Sequence, residues 1–219
     1  MRPDLIIFDC DGVLVDSEAT ANKVIAQDLT SLGWQMTPEE SFKRFLGMNI
    51  SDMQPMVEAH LGRALPKNWP KELAARVIEA MKTGTHLMPG ADEVLKKVTE
   101  MGLDWRIASN SSDAEMDVKF ACTGLTALVK GRYISAGRVI AKGGKPKPAP
   151  DIYLEAAREA GVVPARCLVV EDSPLGARAA VAAGMVCYGL DPHGDGVALK
   201  AEGVKGIFHR LDEIFGVIA

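Results

Sequence analysis

The chain has no paired cysteines, no long apolar run and no excess of positive charge, and each absence removes a class of protein. Its four cysteines, Cys10, Cys122, Cys167 and Cys187, are scattered and form no CxxC pair. They read as reduced thiols of a cytoplasmic protein, not as a disulfide framework. No apolar stretch approaches the ~20 residues of a membrane-spanning helix. The first apolar segment is short and is followed at once by acids, unlike a secretory leader. The net charge of −4 argues against a general nucleic-acid or membrane-surface binder. His60, His86, His193 and His209 lack metal-ligand spacing. Gly194 and Gly196 lack the strand-to-helix surroundings of a phosphate cradle. There is no internal repeat and no low-complexity tract.

What is present is an ordinary globular composition, 47% hydrophobic and 25% charged over 219 residues. That length suits one large domain, or one domain with a modest insertion. The organising stretch is Leu5-Ile6-Ile7-Phe8-Asp9-Cys10-Asp11-Gly12. An apolar run ends in two aspartates two residues apart, so an extended chain turns both carboxylates to one face. Gly12 allows a sharp turn directly after them. Adjacent carboxylates repel unless a cation or a shared proton intervenes. The pair therefore suits a hard cation such as Mg²⁺, an acid/base couple, or simply an Asx-rich turn. Strand alternation turns Cys10 away from them.

The chain then alternates in character. Asp16 or Ser17 caps a helix over residues 19–32, and Gly33 stops it. Thr37-Pro38-Glu39-Glu40 opens a second helix that runs to about Leu46-Gly47. Further helices are expected at 51–61 and from Pro70 to Gly84. Beyond His86, helices at 91–101, 114–122, 150–160 and 175–183 alternate with strands at 103–109, 133–135, 167–170 and 185–190. A short strand at 206–208 and a last helix close the chain. This βαβ order predicts an α/β protein with a mostly parallel sheet. The expected architecture is a Rossmann-like core of residues 1–15 and 86–219, with an inserted α-helical cap over residues 16–85.

Three strands end in polar residues: Asp9 and Asp11, then Ser109 and Asn110, then Glu171 and Asp172. Parallel strands bring these ends to one rim, and a Gly/Pro-rich loop supplies lysines at 142, 145 and 147. Carboxylates there suit Mg²⁺, while a hydroxyl and a lysine suit phosphate oxygens. The ordered motifs Asp9-Cys10-Asp11-Gly12-Val13, Ile107-Ala108-Ser109, Lys147-Pro148-Ala149-Pro150-Asp151 and Val169-Val170-Glu171-Asp172-Ser173 resemble those of the haloacid dehalogenase superfamily of phosphatases, across essentially the whole chain.

That resemblance implies a Mg²⁺-dependent phosphomonoesterase acting on a small phosphorylated metabolite. Asp9 would be the nucleophile and Asp11 the acid/base residue. Ser109 and Asn110 would bind the phosphoryl group, and Lys147 would offset its charge. Asp9, the Asp11 carbonyl and Asp172 would hold the metal, with Glu171 assisting. Lys145-Pro146-Lys147-Pro148 offers a second reading of the lysine motif, but only Lys147 is followed by Pro150-Asp151 and a helix.

Asp11 favours phosphate chemistry over carbon–halogen cleavage, because the dehalogenases lack that second acid. The family's phosphosugar mutases carry a histidine near the position of Ala21, and no histidine lies between residues 17 and 59. Softer features, Asp16-Ser17-Glu18, Phe42-Lys43-Arg44-Phe45-Leu46-Gly47 and Asp191-Pro192-His193, resemble bacterial sugar-phosphate phosphatases that act on 6-phosphogluconate. Phosphoglycolate phosphatases share much of the pattern. Lys43 and Arg44 are expected to reach a substrate carboxylate or hydroxyl, or else to form an exposed basic helix end. The working state is expected to be a monomer. A phosphometabolite-binding module without catalysis is the non-enzyme alternative.

Overall fold

A computed structural model describes residues 2–45 and 48–218. Leu46 and Gly47, where the second helix was expected to end, lie outside the described residues. Six strands form one parallel sheet in the order β5-β4-β1-β6-β7-β8. They are β1 (Leu5–Phe8), β4 (Asp104–Ser109), β5 (Tyr133–Ser135), β6 (Cys167–Glu171), β7 (Val186–Leu190) and β8 (Gly206–Phe208). A separate antiparallel pair joins β2 (Val15–Asp16) to β3 (His86–Leu87), two short strands absent from the expectations. The pair clamps together the points where the chain leaves the sheet and returns to it.

β1 is apolar throughout because it is covered on both faces. Ile6 and Phe8 enter one core cluster with Trp105, Ile107, Val170 and Leu95. Leu5 and Ile7 enter the other, with Val169, Ile152 and Tyr153. Cys10 joins the first cluster, fully buried, and burial pushes its thiol pKa well up.

Between β2 and β3 lies the inserted helical segment: α1 (Glu18–Leu32), α2 (Pro38–Phe45), α3 (Ile50–Leu61) and α4 (Trp69–Gly84). It has its own apolar cluster around Leu29, Phe45, Met53, Trp69 and Val77. Thr37 and Glu40 form the expected capping box, Glu40 N–H donating to Thr37 Oγ1 at 3.2 Å and Thr37 N–H to Glu40 Oε2 at 2.8 Å. The cap of α1 differs from expectation. Asp16 is in β2, and Ser17, at the cap position, makes no capping bond with its side chain. Its hydroxyl donates instead to Asp11 Oδ1 at 2.5 Å.

The remaining helices are α5 (Ala91–Glu100), α6 (Asp113–Cys122), α7 (Thr126–Val129), α8 (Ala136–Ala141), α9 (Asp151–Ala160), α10 (Pro174–Ala182), α11 (Val197–Ala201) and α12 (Phe215–Ile218). α7, α8 and α11 were not expected, each being six residues or fewer. α6 also packs against α4, so the helical segment rests on the core there. No helix among the described residues is long and apolar enough to cross a membrane.

Candidate active site

The carboxyl ends of β1, β4 and β6 open into a cavity of about 840 Å³. Asp9, Asp11, Ser109, Asn110, Lys147 and Asp172 line its floor, and residues of α1, α3 and α4 line its roof. This is the crevice where open parallel sheets place ligands.

Lys147 organises the floor. Its ammonium donates to Asp9 Oδ1 at 2.5 Å, Glu171 Oε1 at 2.6 Å and the Ala108 carbonyl at 2.9 Å, using all three protons. Asn110 fixes the lysine's backbone from both sides, accepting from Lys147 N–H at 2.9 Å and donating to its carbonyl at 3.2 Å. Lys145, the alternative lysine, is exposed.

Glu171 is fully buried and saturated. Besides Lys147 it accepts from the Tyr153 hydroxyl at 2.6 Å, and from Ser173 N–H and Oγ at 3.2 and 3.0 Å. Gly176 makes room for it, since a Cβ there would lie 1.7 Å from Glu171 Oε1.

Asp9, Glu171 and Asp172 bring carboxylate oxygens within 4.8 Å of one another. Three carboxylates face one ammonium, so full ionisation of the cluster would leave two negative charges in excess. Burial, opposed by Lys147 but reinforced by Glu171 and Asp11, pushes the Asp9 carboxyl up to about 8. Asp172 is pushed well above the carboxylate range, by burial first and then by Glu171, Asp9 and Glu18. An all-oxygen donor set with excess charge 2− fits a hard divalent cation. Gly12 completes the cradle: at φ +72° its missing Cβ leaves space that Asp172 fills, and a Cβ there would sit 1.9 Å from Asp172 Oδ2.

The Asp9 and Asp11 carboxylates pair with different lysines. Asp11 pairs instead with Lys119, whose Nζ lies 2.7 Å from each of its oxygens. Ser111 Oγ donates to Asp11 at 3.0 Å, and Lys119 donates to that hydroxyl at 2.7 Å. Burial would push Asp11 up, but Lys119 and the bonds from Lys119, Ser17 and Ser111 hold it below its ordinary value. Burial works most strongly against the Lys119 charge, but Asp11, Cys10 and Glu115 together outweigh it, so the ammonium pKa is raised.

Ser109, 2% exposed, lines the cavity and accepts from Ser111 N–H at 3.0 Å. Lys43 and Arg44 are not among the residues lining the cavity. The Arg44 guanidinium lies 5.1 Å from the Trp34 ring centroid, and that ring stacks on His60 at 3.9 Å. The roof presents Asn22, Asn49, Gln54, Lys67 and Lys71 instead. Ala21 is also on the wall, which holds no histidine among the described residues.

Sequence reasoning missed Lys119, Ser111, Ser17 and Tyr153. Lys119 did leave a signal. It lies three residues after Met116 and one before Phe120, inside the buried stripe of α6. A lysine on an apolar stripe needs a buried partner.

Parallel sheet, acidic rim and helical insertion together are those of an α/β hydrolytic enzyme. The chain belongs to the haloacid dehalogenase-like hydrolase family, whose family model matches residues 3–184. It is similar to 6-phosphogluconate phosphatase of Escherichia coli (strain K12), 27% identical over 195 residues, 88% of this chain and 85% of that protein. Hexitol phosphatase A of the same organism is 28% identical over 216 residues, 98% of this chain and 94% of the relative. A family hydrolase from Deinococcus radiodurans R1, crystallised with bound phosphate and sodium, superposes with a TM-score of 0.78. It is 30% identical, covering all of this chain and 96% of that one.

Proposed function

We propose that the protein is a Mg²⁺-dependent phosphomonoesterase that hydrolyses a sugar or sugar-acid phosphate through an aspartyl-phosphate on Asp9. The observation that carries this reading is Asp9 itself: a carboxylate at a parallel-strand end, beside one fully coordinated lysine and a charge-excess carboxylate cluster. Asp9 attacks phosphorus, forming the acyl phosphate as the ester P–O bond breaks. Asp11, ionised beside Lys119, must first take up a proton; it gives that proton to the leaving oxygen, then takes one from the water that attacks the acyl phosphate and releases inorganic phosphate. Ser109 and the backbone beside Asn110 hold non-bridging oxygens. Lys147 offsets the charge shared by Asp9 and the phosphoryl group. Asp9, Asp172 and the Asp11 carbonyl would hold Mg²⁺, with Glu171 supporting through Lys147, and the bound ion supplies positive charge to the phosphoryl oxygens.

Residues 16–85 act as the cap domain over a core of 1–15 and 86–219. The cavity exceeds what a phosphate needs and falls in the range of small-metabolite sites. Asn49, Gln54 and Lys71 on the roof, rather than Lys43 and Arg44, offer polar groups to a hydroxylated leaving group. The similarity to two sugar-phosphate phosphatases supports that class.

The test is phosphate release from a panel holding 6-phosphogluconate, hexitol phosphates, aldose phosphates and phosphoglycolate, with Mg²⁺ or EDTA. Turnover by wild type and none by Asp9→Asn is expected; undiminished turnover by the variant refutes the nucleophile. Phosphoglycolate as the sole good substrate would overturn the sugar assignment. An isomerised sugar phosphate seen by NMR would move the reading to a mutase.

A further inference from the structure

Asp11 is held more tightly than an acid/base residue needs to be. A carboxylate has about four acceptor positions on its two oxygens. Ser17 takes one, Ser111 a second and Lys119 a third, while the Lys119 ammonium also lies 2.7 Å from the other oxygen, so one position is left to carry a proton. The three donors come from three segments: the entry to the helical insertion, the loop after β4, and α6. Lys119 is 1% exposed. Its neighbours on the α6 stripe, Met116 and Phe120, are core residues, so packing alone would accept an apolar side chain at 119. A buried ion pair is a poor stabiliser compared with well-packed apolar groups. What Lys119 does that methionine cannot is fix where the Asp11 carboxylate points.

We propose that Lys119 is a positioning residue for the proton transfers of Asp11, holding that carboxylate in one orientation at the edge of the cavity through the Lys119–Ser111–Asp11 network. The proposal rests on the acid/base reading of Asp11 given above. Lys119 borders the cavity but is 1% exposed, so it acts through Asp11 and not on the substrate directly. It acts on the proton passed to the leaving oxygen and on the proton taken from water, because both pass through a carboxylate whose rotamer it sets. Val118, beside it on α6, packs against the apolar cluster of the helical insertion, and Ser17 begins that insertion. The orientation of Asp11 is thus tied to the seating of the insertion on the core.

The experiment is a double-mutant cycle on the full-length protein with two leaving groups. Wild type, Asp11→Asn, Lys119→Met and Asp11→Asn/Lys119→Met are assayed with Mg²⁺ on phenyl phosphate, whose leaving oxygen needs a proton, and on p-nitrophenyl phosphate, whose leaving oxygen does not. Lys119→Met should lower kcat/KM for phenyl phosphate roughly 10- to 100-fold. The loss on p-nitrophenyl phosphate should be at least several-fold smaller, and the double variant no slower than Asp11→Asn alone. Losses that multiply in the double variant, or equal losses on both esters, overturn the proposal. If Asp11→Asn itself leaves both rates unchanged, the acid/base reading of Asp11 fails, a separate result. Circular dichroism and thermal melts check folding. Should Lys119→Met not fold, Ser111→Ala removes a neutral member of the same network. It should show a smaller, leaving-group-selective loss that vanishes in the Asp11→Asn background; an additive loss overturns the proposal.

Discussion

Replacing Lys147 with methionine isolates the charge on which the active-site floor is built. The ammonium lies 2.5 Å from Asp9 and 2.6 Å from Glu171, with both acceptors buried. At an effective dielectric constant near 20, each contact carries about 6–7 kcal/mol of Coulomb attraction, most of it offset by desolvation of the charges. Removing one partner of such a buried cluster costs about 3–5 kcal/mol, because the remaining charges stay buried without compensation. For a chain of this size that is a melting shift of roughly 6–20 °C in EDTA. Relief comes in two ways. At low pH Asp9 takes up a proton, so the deficit should be smaller at pH 6 than at pH 8.5. With Mg²⁺ the cluster regains positive charge, so one fixed Mg²⁺ concentration should stabilise the variant more than wild type, the total gain for each being about 2.7 kcal/mol at 100 times its own Kd. Turnover should fall about 10²- to 10³-fold, as when one preorganised donor is lost. Urea titrations of wild type, Lys147→Met and Lys145→Met, at both pH values and with or without Mg²⁺, decide it. Lys145 is exposed, and its variant should stay within about 0.5 kcal/mol of wild type. A Lys147→Met protein within about 1 kcal/mol of wild type in EDTA, with no added gain from Mg²⁺, refutes the reasoning.

Other outcomes follow from the same geometry. Gly12→Ala places a Cβ 1.9 Å from Asp172 Oδ2 at φ +72°. It should cost about 1–2 kcal/mol in backbone strain and raise the Mg²⁺ half-saturation of activity roughly 10-fold or more; an unchanged metal dependence would contradict the cradle. In the metal-free protein Asp9 sits at about 8 against an ordinary 3.8. The native state therefore keeps a proton that the unfolded chain has released. This group's contribution to stability falls as pH rises between those values, and is lowest above about 8. Mg²⁺ must displace that proton, so its affinity by calorimetry should rise from pH 6 to 8; a flat profile would argue against binding at Asp9. Arg44→Ala should lose the contact over Trp34, about 0.5–1 kcal/mol of stability, and leave kcat/KM within about twofold. A drop of about tenfold or more would restore Arg44 as a substrate contact.

The sequence alone determined the alternation of longer helices and strands along the chain, the helical insertion and the positions of Asp9, Ser109, Lys147, Glu171 and Asp172, but not the order of strands in the sheet. Each lies where an apolar run stops or a Pro-rich loop precedes a helix, and that punctuation is local. The tertiary structure alone decided which charges meet. Asp9 and Asp11 are two residues apart and look like one pair, yet one faces Lys147 and the other Lys119, which come from elements 138 and 108 residues away. Lys119 is buried because α6 lies between the sheet and α4, a packing that no local period encodes. Lys43 and Arg44 read either as substrate contacts or as an exposed basic helix end; neither lines the cavity, and the Arg44 guanidinium lies 5.1 Å from the Trp34 ring centroid. Helix and strand follow from spacing along the chain, whereas the partner of a buried charge follows from which surfaces are left to neutralise it once the chain has packed.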